Sequence, residues 1–164
     1  MITTQLPTHD RQVDGGSGTD AMDATGMTED FWLRRSGARP LAFSGSELCM
    51  GVSYTAGTPF WYELNIYRKT DGGFVVRLDM RAKSDNDPSR HHAWECPSFA
   101  EVMESLEAYD AGDDIRIDIE PDDPELGLAD LAAHALSIRA RAEEARRQYR
   151  GLIGELLHEL ETGA

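Results

Sequence analysis

Two alternating runs around one glycine-bearing turn constrain this chain more than any other feature. In FWYELNIYRK (60–69), Phe60, Tyr62, Leu64 and Ile66 share one face of an extended strand; Trp61, Glu63, Asn65 and Tyr67 share the other. In FVVRLDMRA (74–82), Phe74, Val76, Leu78 and Met80 alternate in the same way with Val75, Arg77, Asp79 and Arg81. Period-two patterns on both sides of Thr70-Asp71-Gly72-Gly73 predict an antiparallel hairpin with one buried face. More strand character lies in PLAFSGSELCMGVSYT (40–55), either one long irregular strand or a hairpin turning at Ser44-Gly45-Ser46. HHAWEC (91–96) reads as a further short strand, and IRIDIE (115–120) as a half-buried one with Ile115, Ile117 and Ile119 inward.

Helical spacing appears twice. PSFAEVMESLEAYD (97–110) opens on Pro97-Ser98 and then places Phe99, Val102, Met103 and Leu106 on one face. From about Pro124 to Leu160 the pattern predicts one long helix or two shorter ones, with Asp122 or Asp123 as cap and Pro124 in the first turn. The fold class is α+β: an antiparallel sheet of about four to five strands, a short helix and a long C-terminal helix. Residues 1–30 read as a disordered acidic tail, because VDGGSGTDAMDATGMTED offers almost nothing to bury. Residues 31–123 form the sheet and short helix, with Phe31 and Trp32 docking at its start, and 124–164 the long helix, packed on the same domain or on a partner. At 164 residues this is one domain with one ordinary core.

Charge narrows the function classes. A net charge of −14 repels phosphate backbones, which argues against direct nucleic-acid binding and favours a basic protein partner. Neither a signal peptide nor a membrane span is visible, and two cysteines make no disulfide framework, so the expected location is the cytoplasm. The acids concentrate in YDAGDDIRIDIEPDDPE (109–125), which sets eight carboxylates and one arginine in seventeen positions. An EF-hand loop fails in both registers: from Asp110 its sixth position is Ile115 rather than glycine, and from Asp118 its twelfth is Ala129. A solvated strand followed by a helix cap accounts for most of these residues. The functional alternative is a partner-binding face of Asp110, Asp113, Asp114, Asp118, Glu120, Asp122 and Asp123, which at its sharpest imitates the phosphates of a nucleic acid.

Familiar chemistries do not assemble. No P-loop, dinucleotide fingerprint, nucleophile elbow, H-E-x-x-H or C-x-x-C occurs. Asp79 and Lys83 lack the acid-x-lysine element of a nuclease. Cys49, His91, His92 and Cys96 lack zinc-finger spacing, and the two histidines point to opposite faces of an extended strand. The chain is read as a non-enzyme with neither metal nor cofactor.

The C-terminal helix carries more. Leu128, Leu131, Ala135, Ile138, Ala142, Ala145, Tyr149, Leu152 and Leu156 step by threes and fours in a heptad seam. Arg139, Arg141 and Arg146 border it, with Arg147 and Arg150 nearby, forming the one basic cluster of the sequence. A helix this long outruns a small sheet, so part of the seam (Leu131, Ile138, Ala142, Ala145, Tyr149, Leu152, Leu156) is a candidate interface, including one with a second copy. The acidic 101–125 face and these arginines also suit each other, within one chain or between two.

Arg35, Gly37, Pro40, Leu41, Phe43, Gly45, Tyr62, Glu63, Leu64 and Tyr67 lie in FWLRRSGARPLAFSGSEL and FWYELNIYRKTDGGFVV. On these residues the stretch 31–110 resembles small uncharacterised accessory proteins of proteobacterial plasmids and other mobile elements. The resemblance implies an accessory protein of a mobile element, where acidic inhibitors of host defence such as anti-CRISPR proteins occur, and it carries no catalytic residues. The expected function is a non-enzymatic protein-interaction or regulatory module. The alternatives are a nucleic-acid mimic that inhibits a DNA- or RNA-binding protein and, after it, a metal-binding protein.

Overall fold

A computed structural model of the chain describes residues 28–84, 89–117 and 126–162. Five strands lie in sequence order in one antiparallel sheet: β1 (Glu29–Leu33), β2 (Leu41–Val52), β3 (Phe60–Lys69), β4 (Phe74–Ala82) and β5 (Arg90–Cys96). Helix α1 (Phe99–Ala108), a 3-10 turn (Ala111–Asp114) and helix α2 (Leu128–Thr162) follow, giving the expected α+β architecture.

The β3–β4 hairpin forms where the alternation placed it, paired from Phe60↔Ala82 to Arg68↔Phe74. Its turn needs both glycines: Gly72 and Gly73 sit at φ 101° and 79°, a region that side-chain-bearing residues enter only under strain. β2 is one long strand, with a bulge between Glu47 and Cys49. A one-residue slip reverses the facing of everything after it. Phe43 and Glu47 therefore turn to one side, and Cys49 and Gly51 to the other. At Gly51 the close packing of α2 explains the residue, since a Cβ there would stand 2.7 Å from Leu152 Cδ1.

The sheet gains a strand that was not expected, and the described part of an expected one is not strand. β1 belongs to the sheet, so strand structure is already present at Glu29, before the expected boundary at residue 31. Five residues beside a Gly- and Thr-rich run give too short an alternation to stand out. Phe31 and Leu33 dock inward, whereas Trp32 is 72% exposed. Conversely, Ile115 to Ile117 are not strand, and Ile117 is 69% exposed. Ile115 caps the 3-10 turn and enters the core alone, so local alternation there found no partner strand. Residues 118–120 of that expected strand lie outside the described residues.

One face of the sheet packs against the helices around Phe60, Tyr62, Leu64, Ile66, Val76 and Leu78, all at most 2% exposed. The opposite face, expected to be solvated, is also partly buried: Tyr67, Val75 and Ala93 join Leu33 and Phe43 in a second core, flanked by Phe31 and Leu41. Sheet curvature explains this. The chain just after β1 meets β5, four places away in the strand order, where Ser36 N–H donates to His91 O at 2.7 Å and His91 N–H donates to Ser36 Oγ at 3.0 Å. The sheet thus curls onto itself at that corner and encloses its own concave side.

Ser98 caps α1, its Oγ accepting from Glu101 N–H, and Val102 and Leu106 bury that helix. α2 runs unbroken through Gly151 and Gly154. It begins at Leu128, beyond the expected Pro124 start, with Gly127 N–H donating to Asp130 Oδ2 at 3.2 Å.

Candidate functional site

The acidic stretch divides into different roles. Asp110 Oδ1 accepts from Gly112 N–H and so opens the 3-10 turn. Both Asp110 oxygens also receive the Arg146 guanidinium, Nε and Nη2 each at 2.8 Å. That guanidinium, helped by the Gly112 amide, holds the Asp110 carboxyl down at about 2. The plane of Arg146 lies over Gly112, where a Cβ would come within 2.5 Å of it. The expected pairing of the acidic face with the arginine helix is thus made here within one chain.

Asp114 is not on a partner face at all. It is 4% exposed, and its carboxylate is spent inside the protein. Oδ2 accepts from Tyr62 OH at 2.9 Å and Tyr109 OH at 2.7 Å, and Oδ1 stands 2.7 Å from His92 Nε2. Tyr149 OH donates nearby to Leu106 O at 2.6 Å. The 3-10 turn drives Asp114 inward because Ala111 and Ile115 on either side are themselves core residues. Burial first, and the Asp114 charge second, push the Tyr62, Tyr109 and Tyr149 phenols far above the ordinary tyrosine range, so all three stay donors. Tyr109 also stacks on Trp94 and packs against Tyr149, so the cluster joins β3, β5, the 3-10 turn and α2. Of the other expected partner-binding residues, Asp113 is exposed; Asp118, Glu120, Asp122 and Asp123 lie outside the described residues.

A second polar group sits on the concave side. Asp79, fully buried, accepts through Oδ2 from Arg77 (2.6 Å) and lies 3.3 Å from Arg81. His91 Nδ1 stands 3.1 Å from Asp79 Oδ1 but off the hydrogen-bond line, leaving those two buried atoms unbonded. Lys83 lies instead over the Tyr54 ring, so no nuclease pair forms with Asp79. The four zinc candidates do not converge either. His91 and His92 turn to opposite faces, Cys96 lies 3.8 Å from Ser105, and Cys49 packs at the far side of the main core. Among the described residues no three His, Cys, Asp or Glu are grouped to hold a metal ion.

The α2 seam splits in two. Ala145, Tyr149, Leu152 and Leu156 are buried in the chain's own core, with Ile138 and Ala142 packed half-buried beside them. The four buried residues are taken up by the chain's own core rather than by a partner, while Ile138 and Ala142 keep part of their surface open. Upstream the same stripe leaves the domain: Leu131 is half-buried, Ala135 exposed, and Leu128 87% exposed. Leu136, one residue off the expected seam, is 68% exposed. The helix spans about 52 Å at its usual rise, whereas the longest strand, β2, spans about 40 Å. Between α1 and α2 lies an open cleft of about 520 Å3, floored by Leu106, Tyr149 and Ile153 and edged by Arg146 and Arg150.

Leu136 is a leucine in an alanine-rich helical run that falls outside the heptad steps, so the seam does not point to it. Tyr62, Tyr109, His92 and Asp114 gave no joint signal, since four elements bring them together. No helix among the described residues is long and apolar enough to cross a membrane. Comparison with protein-family models, with curated proteins and with solved structures finds no match to this chain.

Proposed function

We propose that this chain is a non-enzymatic protein-interaction module that docks an amphipathic helix of a partner protein on the first three turns of α2. One observation carries the reading. The apolar stripe that buries the second half of α2 continues upstream through the half-buried Leu131 to Ala135 and Leu128, which are exposed among the described residues, with the exposed Leu136 beside them. Steps of three and four suit helix-on-helix packing, and the alanines between allow close approach. The phosphate-mimic reading is weaker, because Asp110 and Asp114 are engaged internally. Two free thiols, one of them buried, suit a reducing cytoplasm.

The test is capture from a lysate of the source cell with the tagged full chain, at low and at high salt. A helix-docked partner survives high salt and is lost with the double substitution Leu128→Glu/Leu136→Glu, while the melting temperature is kept. A partner indifferent to that double substitution, but released by salt and by neutralising Asp113, Asp118 and Glu120, would replace this reading with mimicry.

A further inference from the structure

β2 pairs with β3 from Gly45 to Val52, whereas β1 covers its other side only from Leu41 to Gly45. From Ser46 to Val52 the outer edge has no partner strand among the described residues. Ser53 N–H donates to Tyr62 O at 2.9 Å. The alternation of an antiparallel ladder then turns the backbone groups of Cys49 and Gly51 towards β3 and those of Met50 and Val52 outward.

The side chains along this edge are apolar and open: Leu48 is 47%, Met50 60%, Val52 42% and Tyr54 55% exposed. Tyr54 extends the patch onto β3 by edge-on contact with Trp61 at 5.3 Å. Of the nearby acids, Glu63 pairs with Arg81 and accepts from Trp61, and Glu47 accepts from the neutral Asn65 amide. Monomeric proteins usually guard such an edge with lysine, proline or a covering element. Ser46–Tyr54 holds neither residue type, and only the bulge at Leu48 interrupts it.

We infer that this edge is completed by the β2 strand of a second copy, antiparallel across a two-fold axis, joining two five-stranded sheets into one. Three observations favour that occupant. Ser46–Tyr54 carries a single carboxylate, Glu47, in a chain of −14, and antiparallel pairing about Met50 keeps its two copies at opposite ends of the interface, so the copies approach there with little repulsion. Two-fold pairing sets the Leu48–Met50–Val52 row against its own copy and consumes both free edges, which stops assembly at two. The opposite sheet edge is partly closed, because Ser36 bonds β5 at His91, so growth through that edge is obstructed. The inference stands apart from the helix reading and uses none of its residues.

Molar mass by light scattering, over a range of concentrations of the full chain, tests it. The expected result is twice the 18.2 kDa of one chain, returning to a single chain with Met50→Lys/Val52→Lys while the far-ultraviolet circular dichroism is retained. The Leu128→Glu/Leu136→Glu variant stays dimeric, which separates this interface from α2. A wild type of single-chain mass throughout would overturn the inference. So would a dimer that survives the edge lysines, or one that dissociates with the helix variant.

Discussion

Asp114 shows how far one residue can depart from its sequence neighbourhood. It stands among acids that suggest a solvated surface, yet its carboxylate organises two phenols and an imidazole in the interior. Asp114→Ala leaves Tyr109 OH without its acceptor and strips His92 of its partner, whereas Tyr62 OH keeps Ala111 O at 3.1 Å. Losing buried hydrogen bonds of this kind costs about 1–3 kcal/mol, and the charge-assisted ones here place the variant near the upper end. Chemical denaturation of the variant measures it. Asp113→Ala, one residue away and exposed, should leave the midpoint unmoved.

Among the elements, α2 combines a core helix with a free one. Leu152 is 3% exposed, and its Cδ1 reaches the backbone of Gly51 on β2, whereas Leu136 faces solvent. Leu152→Ala is expected to destabilise the fold by about 2–5 kcal/mol, the usual range for a buried leucine. Leu136→Ala is expected to stay within about 0.5 kcal/mol, as surface changes do. Thermal melts of the two variants side by side provide the check, and equal losses would mean that the first turns of α2 also pack on the domain. The heptad spacing was legible because a helix repeats its facing every few residues. Where the seam leaves the domain was not legible, since that depends on where the sheet ends beneath it.

At the scale of the whole molecule, the tyrosine cluster ties sheet, 3-10 turn and long helix together, which gives the fold an alkaline limit. Tyr62, Tyr109 and Tyr149 are held protonated above the ordinary phenol value of about 10. A group whose folded pKa is raised contributes stability that is intact below its unfolded pKa and lost as pH rises past it. The protein should therefore hold its stability below about pH 10, then unfold cooperatively, with tyrosinate absorbance from these phenols rising only as helical circular dichroism disappears. Gradual tyrosinate formation in a still-folded protein would show that the three hydroxyls are open to solvent.

The sequence by itself determined the elements with a strong local period: the β3–β4 hairpin with its two glycines, the capped α1, the long α2 and the α+β class. Each rests on interactions between residues close in the chain, so the pattern is written where the structure forms. Only the tertiary structure decided the curl that buries Tyr67, Val75 and Asp79 on the concave side, the entry of β1 into the sheet and the inward turn of Asp114. It also decided which edge and which half-helix remain open. Those outcomes depend on contacts between Ser36 and His91, or Asp114 and Tyr62, whose separation of roughly fifty positions leaves no local period to read.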